Sequence, residues 1–209
     1  LKQNLSGYKN YLVWTMKKDD PGTTWNIDAR TREPERMSPR MAWRAIQSAL
    51  PQNAIISSDI GNNCAIGNAY PSFEEGRKYL APGLFGPCGY GFPAIIGAKI
   101  ACPNTPVVGF AGDGAFGISM NEMTSCGRDD WPAITMVIFR NYQWGAEKRN
   151  TTLWYQNNFV GTELNQDFSY AKIAEGCGLK GVQVWSMEEL TNELRMSCDE
   201  QKKGNSTIF

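Results

Sequence analysis

The chain has 209 residues, and its 21 lysines and arginines balance 21 aspartates and glutamates. This neutral balance argues against nucleic acid as the main partner, which calls for a basic patch, and no run of about 18 apolar residues is present to span a membrane. The absence of histidine excludes a Ser-His-Asp triad, a histidine zinc site and a histidine general base supplied by this chain. Any chemistry must rest on carboxylates, amides, backbone groups or a bound cofactor.

The cysteines and the chain ends bear on location and completeness. Six cysteines are scattered without a Cys-x-x-Cys pair, which argues against a metal clip or a disulfide framework and indicates a reducing cytoplasm. The start has no initiator Met and no signal-peptide segment, and both ends look cut. We expect an internal piece of a longer polypeptide, with residues 1–37 as a linker from a preceding domain and residues 38–209 as a C-terminal domain truncated at its end.

Helical patterns alternate with short apolar strands along the chain. Ser38-Pro39 is a good helix start, with Ser as N-cap and Pro in the first turn, and apolar residues continue at helical spacing to Leu50. This alternation predicts an α/β domain, a doubly wound and mostly parallel sheet with helices on both faces. The later predicted elements are a strand at 54–58, a glycine-rich loop at 83–93, a helix at 94–98, a strand at 105–111, a helix at 121–128, a strand at 133–139, a long aromatic and polar segment at 141–164, a helix at 169–177, a strand at 180–184, a helix opened by a capping box at 186–189 and a strand beginning near 205.

Asp113 and Asn141 are the predicted ligands of one divalent cation. A Gly-Asp-Gly is by itself usually a turn, but here Gly112-Asp113-Gly114 follows a buried strand, and Asn141 follows the next one. Ligands of doubly wound sheets bind beyond the carboxyl ends of the strands, and carboxylate and amide oxygens suit a hard cation. The flanking glycines leave backbone N–H groups open to phosphate oxygens.

This arrangement resembles the signature of thiamine-diphosphate-dependent enzymes of the acetolactate synthase type, in which an Asn that ligates Mg²⁺ follows a Gly-Asp-Gly at a near-fixed distance. The resemblance covers residues 38–209 and rests on residues 57–61, 89–93, 112–114 and Asn141. Residues 139–155 and 158–164 closely resemble the sulfoacetaldehyde acetyltransferase family. Its members convert sulfoacetaldehyde and phosphate into acetyl phosphate and sulfite during the breakdown of taurine and related sulfonates.

The resemblance implies a set of site residues. Mg²⁺ would be held by Asp113, the Asn141 side chain and the Gln143 backbone carbonyl. Cys88 falls where a bulky apolar residue props the cofactor in its bent form, with a small buried hydrophobe as the alternative. The Gly86 carbonyl would meet the aminopyrimidine. The cofactor-binding residues implied are Ile60, Gly61, Asn62, Asn63, Gly86, Cys88, Gly112, Asp113, Gly114, Ala115, Asn141, Gln143, Trp144 and Gly145.

Substrate and partner expectations also follow from the resemblance. Lys148 and Arg149 are candidates for binding an anionic substrate, because Arg suits bidentate oxyanion contacts; a surface charge pair with Glu147 is the alternative. Trp144, Trp154 and Tyr155 either wall the site or belong to the core. The activating Glu is expected on an N-terminal pyrimidine-binding domain of a neighbouring subunit, in a homo-oligomer (dimer or tetramer), so the piece alone is predicted to be inactive.

Two other functions stay open at this point. One is another thiamine-diphosphate enzyme, such as an acetolactate synthase or a 2-keto acid decarboxylase, whose product would be carbon dioxide rather than sulfite. The other is a non-catalytic cofactor-binding or interaction domain, a degenerate relative kept for assembly, which the intact pair Asp113 and Asn141 argues against.

Overall fold

The structure is a computed structural model that describes residues 39–69 and 78–209. The predicted linker at residues 1–37 and the predicted N-cap at Ser38 lie outside the described residues.

The described residues form a six-stranded sheet in the order β2-β1-β3-β4-β6-β5. Every pairing in it is parallel, so the predicted α/β fold with a doubly wound sheet is confirmed. The strands are β1 (Ile55–Ser58), β2 (Lys78–Leu80), β3 (Val107–Gly112), β4 (Thr135–Phe139), β5 (Lys180–Gly181) and β6 (Thr207–Ile208).

Helices connect these strands, as right-handed parallel crossovers require. Within the described ranges they are α1 (Pro39–Ala49), α2 (Asn62–Ala69), α3 (Gly91–Ala101), α4 (Asp113–Ser119), α5 (Met123–Cys126), α6 (Gly145–Trp154), α7 (Tyr170–Gly176) and α8 (Met187–Gln201), with a 3₁₀ turn at Met120–Glu122 between α4 and α5. None of the helices in the described ranges is both long and apolar enough to cross a membrane.

Most predicted elements are confirmed with small shifts of boundary. The capping box of α8 is present, because Ser186 Oγ accepts the Glu189 N–H at 3.1 Å and Glu189 Oε2 accepts the Ser186 N–H at 3.2 Å. The single helix predicted at 121–128 is wrong, since helical structure begins at Asp113 and is broken by the 3₁₀ turn. The segment at 141–164 contains α6, and the strand predicted at 180–184 extends over two residues only.

The two faces of the sheet carry separate clusters of apolar side chains. Side chains alternate along a strand, so Val107 and Ala111 of β3 join one cluster together with Phe92 and Phe116. Phe110 points to the other face, where its ring lies 4.6 Å from that of Trp43 on α1. Trp43 is 1% exposed and anchors α1 on the sheet.

The strand order fixes where a ligand can bind. The chain passes from β1 to β2 on one side and then crosses to β3 on the other side of β1. Such a reversal opens a crevice outside the carboxyl ends of the two strands, which is the ligand-binding position of open α/β sheets. The loops that follow β1, β3 and β4 meet at this edge.

Candidate functional site

Asp113 lies at the centre of this crevice as the first residue of α4, directly after β3, and is 3% exposed. Its Oδ1 accepts the Gly114 N–H at 3.1 Å. Its Oδ2 accepts the N–H groups of Asn141 at 3.2 Å and Tyr142 at 2.7 Å. The carboxylate therefore fastens the loop after β4 onto the end of β3.

The charge of Asp113 has no cationic side chain opposite it within the described part of the chain. Burial raises the pKa of Asp113 above its ordinary value, while the N–H groups of Tyr142, Gly114 and Asn141 oppose that shift. A buried carboxylate is costly unless a cation compensates it. The site therefore fits a divalent cation, which would also hold Asp113 ionised.

Asn141 and Gln143 carry further oxygens in the loop that Asp113 fastens. Asn141 Oδ1 accepts the Gln143 N–H at 3.2 Å. Tyr142 and Trp144 form backbone hydrogen bonds of 2.8 Å with residues 162–164, and Gln143 lies between them in an antiparallel bridge. In such a pair the intervening N–H and C=O point away from the partner strand. The Gln143 carbonyl thus points away from residues 162–164, on the edge that carries Asn141.

Asp59 holds the loop after β1 against the glycine-rich loop, and the sequence analysis did not single it out as a site residue. It is fully buried, its Oδ1 accepts the N–H groups of Ile60 at 2.8 Å and Gly89 at 3.1 Å, and its Oδ2 accepts that of Gly91 at 2.6 Å. Burial raises the pKa of Asp59, opposed by these N–H groups. The sequence signal that marks Asp59 as a site residue is its position directly after a buried strand and shortly before Gly61.

The glycine-rich loop lies between the β1 loop and α4. A Cβ built on Gly86 would lie 3.2 Å from Ile60 Cδ1, and one on Gly89 would lie 2.9 Å from Ile118 Cγ2. Gly89 also has φ +83°, which other residues adopt at a cost. Cys88 is exposed, so the alternative of a small buried hydrophobe is wrong for this chain. Partial burial and the carboxylates of Asp59 and Glu147 raise the pKa of the Cys88 thiol, which stays protonated at neutral pH.

The loop after β1 and the loop after β4 meet at Gly145, which is the first residue of α6. A Cβ built there would lie 2.9 Å from Asn141 Nδ2 and 3.2 Å from Asn62 Nδ2. Asn62, the first residue of α2, therefore shares the crevice with Asn141. Gly61 precedes it, and Asn63 follows it in α2, where its side chain is outside the described structure.

Trp144 packs against the first turn of α4. A Cβ built on Gly114 would lie 2.8 Å from Trp144 Cε3, so the indole occupies the space that a side chain at that position would need. Gly112 is the extended N-cap residue of α4, and Ala115 is buried. The N–H groups of Gly114 and Ala115 lack acceptors within the helix, as in any first turn; that of Gly114 is taken by Asp113 Oδ1.

The candidate anion-binding residues, Lys148 and Arg149, lie on α6. Lys148 forms an ion pair with Glu163, and its Nζ lies 5.1 Å from the centre of the Phe159 ring. The expected pair with Glu147 is therefore wrong for Lys148, and its charge is compensated by another glutamate. Arg149 is exposed. Trp154 and Tyr155 are 70% and 66% exposed, so within this chain they are not core residues.

Amide and backbone oxygens are essential to any metal site here. Across residues 39–69 and 78–209, no group of three or more His, Cys, Asp or Glu side chains could hold an ion. Asp113 is the carboxylate that bonds to the loop after β4, and Asn141 and Gln143 of that loop provide neutral oxygens. This oxygen set suits Mg²⁺, which binds through one or two carboxylates together with phosphate oxygens.

Comparisons with known proteins agree with this geometry. A family model described as "Thiamine pyrophosphate enzyme, C-terminal TPP binding domain" matches residues 59–208. The chain is 76% identical over 190 residues to a probable sulfoacetaldehyde acetyltransferase of Rhizobium meliloti (strain 1021), covering 91% of this chain and 32% of that relative. It is 71% identical over 193 residues to the sulfoacetaldehyde acetyltransferase of Roseovarius nubinhibens (strain ATCC BAA-591 / DSM 15170 / ISM), covering 92% and 32% respectively.

A solved structure shares the fold. The thiamine diphosphate-dependent 4-hydroxybenzoylformate decarboxylase of Rhodococcus jostii RHA1 superimposes with a TM-score of 0.75 at 21% identity, covering 83% of this chain and 32% of that one. The chain spans about a third of the length of the curated relatives that it matches.

Proposed function

Since this chain belongs to the thiamine pyrophosphate enzyme family through its C-terminal TPP binding domain, we propose that it is the cofactor-binding part of a sulfoacetaldehyde acetyltransferase. The proposed reaction converts sulfoacetaldehyde and phosphate into acetyl phosphate and sulfite, in the breakdown of taurine and related sulfonates. Identities of 76% and 71% to relatives of that name, each across more than nine-tenths of the chain, support this choice.

The observation that carries the proposal is the convergence of Asp113 and Asn141 at the switch point of the sheet. The Asn141 N–H lies 3.2 Å from Asp113 Oδ2, and Asp113 is a buried anion without a cationic partner among the described side chains. Asp113, Asn141 Oδ1 and the Gln143 carbonyl would hold Mg²⁺. The backbone N–H group of Ala115 would face the diphosphate that this cation binds, and that of Gly114 would do so by giving up its bond to Asp113 Oδ1.

The chain's own residues orient and enclose the cofactor. Bound thiamine diphosphate supplies a carbon nucleophile and an electron sink, which allow the carbon–sulfur bond of a sulfonated aldehyde to break. Trp144, packed on Gly114, walls the diphosphate end of the crevice. Cys88 presents an uncharged thiol at the glycine-rich loop, beside the Gly86 carbonyl that would meet the aminopyrimidine.

The substrates are two anions, and α6 carries the candidate cations. Lys148 forms an ion pair with Glu163, whereas the guanidinium of Arg149 suits bidentate contacts with an oxyanion, so Arg149 is proposed to bind a sulfonate or a phosphate. In the full-length protein, Arg149→Met should raise the Michaelis constant of one substrate, and Lys148→Met should change neither by more than about twofold, because a compensated surface charge contributes little. An unchanged Michaelis constant for both substrates in Arg149→Met would remove this assignment.

The remaining parts of the active site would come from elsewhere in the assembly. The activating Glu is proposed to lie on a pyrimidine-binding domain of a neighbouring subunit in a homo-oligomer, and the protein to act in the cytoplasm. Neither of these features is carried by the described residues, so both stay predictions. If the activating Glu lies on that other domain, the chain alone should release no sulfite.

The test uses the full-length protein with Mg²⁺ and thiamine diphosphate, following sulfite release from sulfoacetaldehyde with and without phosphate. The proposal expects phosphate-dependent sulfite with an equal amount of acetyl phosphate. Carbon dioxide from pyruvate without sulfite would contradict it and indicate an acetolactate synthase or 2-keto acid decarboxylase. No turnover, and no rise in melting temperature on adding Mg²⁺ and thiamine diphosphate, would indicate a non-catalytic domain, because a ligand that binds the folded state must stabilise it.

A further inference from the structure

Arg140 connects β4 to the loop that carries Asn141, and its guanidinium lies among three aromatic rings. The guanidinium carbon is 4.6 Å from the centre of the Tyr142 ring, 4.8 Å from that of Phe168 and 5.6 Å from that of Tyr170. Its Nη2 donates to the Gln166 carbonyl at 3.3 Å. Arginine is attracted to ring faces at such distances, so the four side chains form one stack, which we call the Arg140 stack.

Two residues of the Arg140 stack bond to Asp113, one through its backbone and one through its side chain. The Tyr142 N–H donates to Asp113 Oδ2 at 2.7 Å, and the Tyr170 hydroxyl donates to the Asp113 carbonyl oxygen at 3.0 Å. The rings of Phe168 and Tyr170 meet edge to face at 4.8 Å. The side chain of Asp113 is thus held through the loop after β4, and its backbone through α7.

Tyr142 has an unfavourable backbone conformation, which the contacts of its ring help to maintain. Tyr142 has φ 62°, in the left-handed region that non-glycine residues rarely occupy. Residues keep such a conformation when the surrounding structure determines it. Here the conformation directs the Tyr142 N–H at Asp113 while the ring lies against Arg140. Losing the guanidinium would remove this contact from the ring and weaken the constraint that keeps the Tyr142 N–H on the carboxylate.

We propose that Arg140 is a positioning residue that holds Tyr142 and Tyr170 so that Asp113 and Asn141 keep the spacing that a divalent cation requires. This inference rests on the proposed cation site and goes beyond it, because Arg140 is proposed to act through the rings it touches rather than by binding the cation. Residues that orient metal ligands from outside the site typically contribute about 10–100-fold to metal affinity.

The test titrates Mg²⁺ into the full-length protein at saturating thiamine diphosphate and follows tryptophan fluorescence, since Trp144 lies against Gly114. Arg140→Met should raise the Mg²⁺ dissociation constant by about 10-fold. Arg128→Met is the matched control, because Arg128 is exposed and bonds to Asp130; it should leave the constant unchanged. Equal constants for Arg140→Met and the control would overturn the inference.

A second measurement separates positioning from general destabilisation. In Arg140→Met, the Mg²⁺ concentration for half-maximal sulfite release should rise by the same factor, while the rate at saturating Mg²⁺ stays within about twofold of wild type. Phe168→Leu removes one ring of the Arg140 stack without changing the loop after β4. It should also raise the Mg²⁺ concentration for half-maximal sulfite release, by a smaller factor, with the rate at saturating Mg²⁺ again near that of wild type. A rate lost at every Mg²⁺ concentration with unchanged half-saturation would also overturn the inference. Wild type that shows no Mg²⁺ response would instead contradict the proposed cation site.

Discussion

At the scale of single residues, Asp113 combines two functions that a neutral side chain cannot. Its oxygens accept the N–H groups of Gly114, Asn141 and Tyr142, and its negative charge is available to a cation. An asparagine at this position would keep one acceptor oxygen, but its amide nitrogen is a donor and would face one of these backbone N–H groups.

Replacing Asp113 with Asn should therefore weaken Mg²⁺ binding in the full-length protein by about 100-fold or more. The loss combines a missing charge with a displaced loop after β4. Fluorescence titration of Mg²⁺ at saturating thiamine diphosphate measures it. Asp130→Asn is the control, since Asp130 is exposed and paired with Arg128, and Mg²⁺ binding by Asp113→Asn at the control's affinity would contradict the assigned role.

Single residues also show what the sequence could and could not predict. Asp113 and Asn141 could be found because each follows directly after an apolar strand, and both are correctly placed at the edge of the sheet. Asp59 also follows directly after a strand, but its part in joining two loops could not be predicted, because two of the three hydrogen-bond partners of its carboxylate, Gly89 and Gly91, are 30 and 32 residues away. The partner of Lys148 was missed for the same reason, since Glu163 is 15 residues away.

At the scale of elements, the first turn of α4 must stay narrow for the loop after β4 to reach it. Gly114→Ala would favour the helix by its propensity, but the new Cβ would lie 2.8 Å from the Trp144 ring. The ring must then move, and the site with it. We expect Gly114→Ala to weaken binding of Mg²⁺ and thiamine diphosphate by at least about 10-fold, measured by titration of the full-length protein.

The same helix offers the control. A Cβ on Gly117 would meet nothing nearer than the Tyr170 hydroxyl at 3.9 Å. Gly117→Ala should therefore leave ligand affinity unchanged and stabilise the fold by up to about 1 kcal/mol. Equal ligand affinity in Gly114→Ala and Gly117→Ala would show that the close approach of Trp144 has no part in binding.

Lys99 joins α3 to α8 at the opposite edge of the sheet. Its Nζ donates to the Thr105 carbonyl at 3.0 Å and to Gln201 Oε1 at 3.3 Å, and it is 5% exposed. Gln201 in turn bonds to both backbone groups of Val107. Burial lowers the pKa of Lys99 below its ordinary value of 10.5. The folded state therefore binds fewer protons than the unfolded state between that lowered pKa and 10.5.

Stability must then rise with pH through this window as far as Lys99 is concerned. The melting temperature of wild type should rise relative to that of Lys99→Met as the pH increases towards 10.5. The reason is that only wild type has a buried ammonium group, which becomes neutral when it loses its proton. Lys172→Met, at an exposed position, should show no such trend. A difference between wild type and Lys99→Met that is constant or falls with pH would refute the assignment.

Elements were predictable where an apolar pattern marks them. The helix α1 and strands β1, β3 and β4 follow their patterns closely. The helix α6 was missed because it has no buried residues and hence no apolar stripe. The strand β2 has three partly exposed residues at the edge of the sheet, and only its pairing with β1 defines it.

At the scale of the whole molecule, the two ends of the sheet differ in role. Gln201 and Lys99 tie the amino ends of β3 and its neighbours together with buried hydrogen bonds. The carboxyl ends of β1, β3 and β4 instead open into a crevice lined by glycines, amides and the carboxylates of Asp59 and Asp113. The fold class and the family resemblance, both predicted from the sequence, are confirmed. The exposed apolar residues Leu84 and Phe85 beside the crevice could not be placed by pattern alone.

The central claim is that Asp113, Asn141 and Gln143 form one cation site against a diphosphate. Its most direct test is a crystal structure of the full-length protein with thiamine diphosphate and Mn²⁺ in place of Mg²⁺, located by anomalous scattering. The account predicts one ion about 2.0–2.2 Å from an Asp113 carboxylate oxygen, Asn141 Oδ1 and the Gln143 carbonyl oxygen, with diphosphate oxygens completing its shell. An ion elsewhere, or a diphosphate bound without an ion at Asp113, would contradict it.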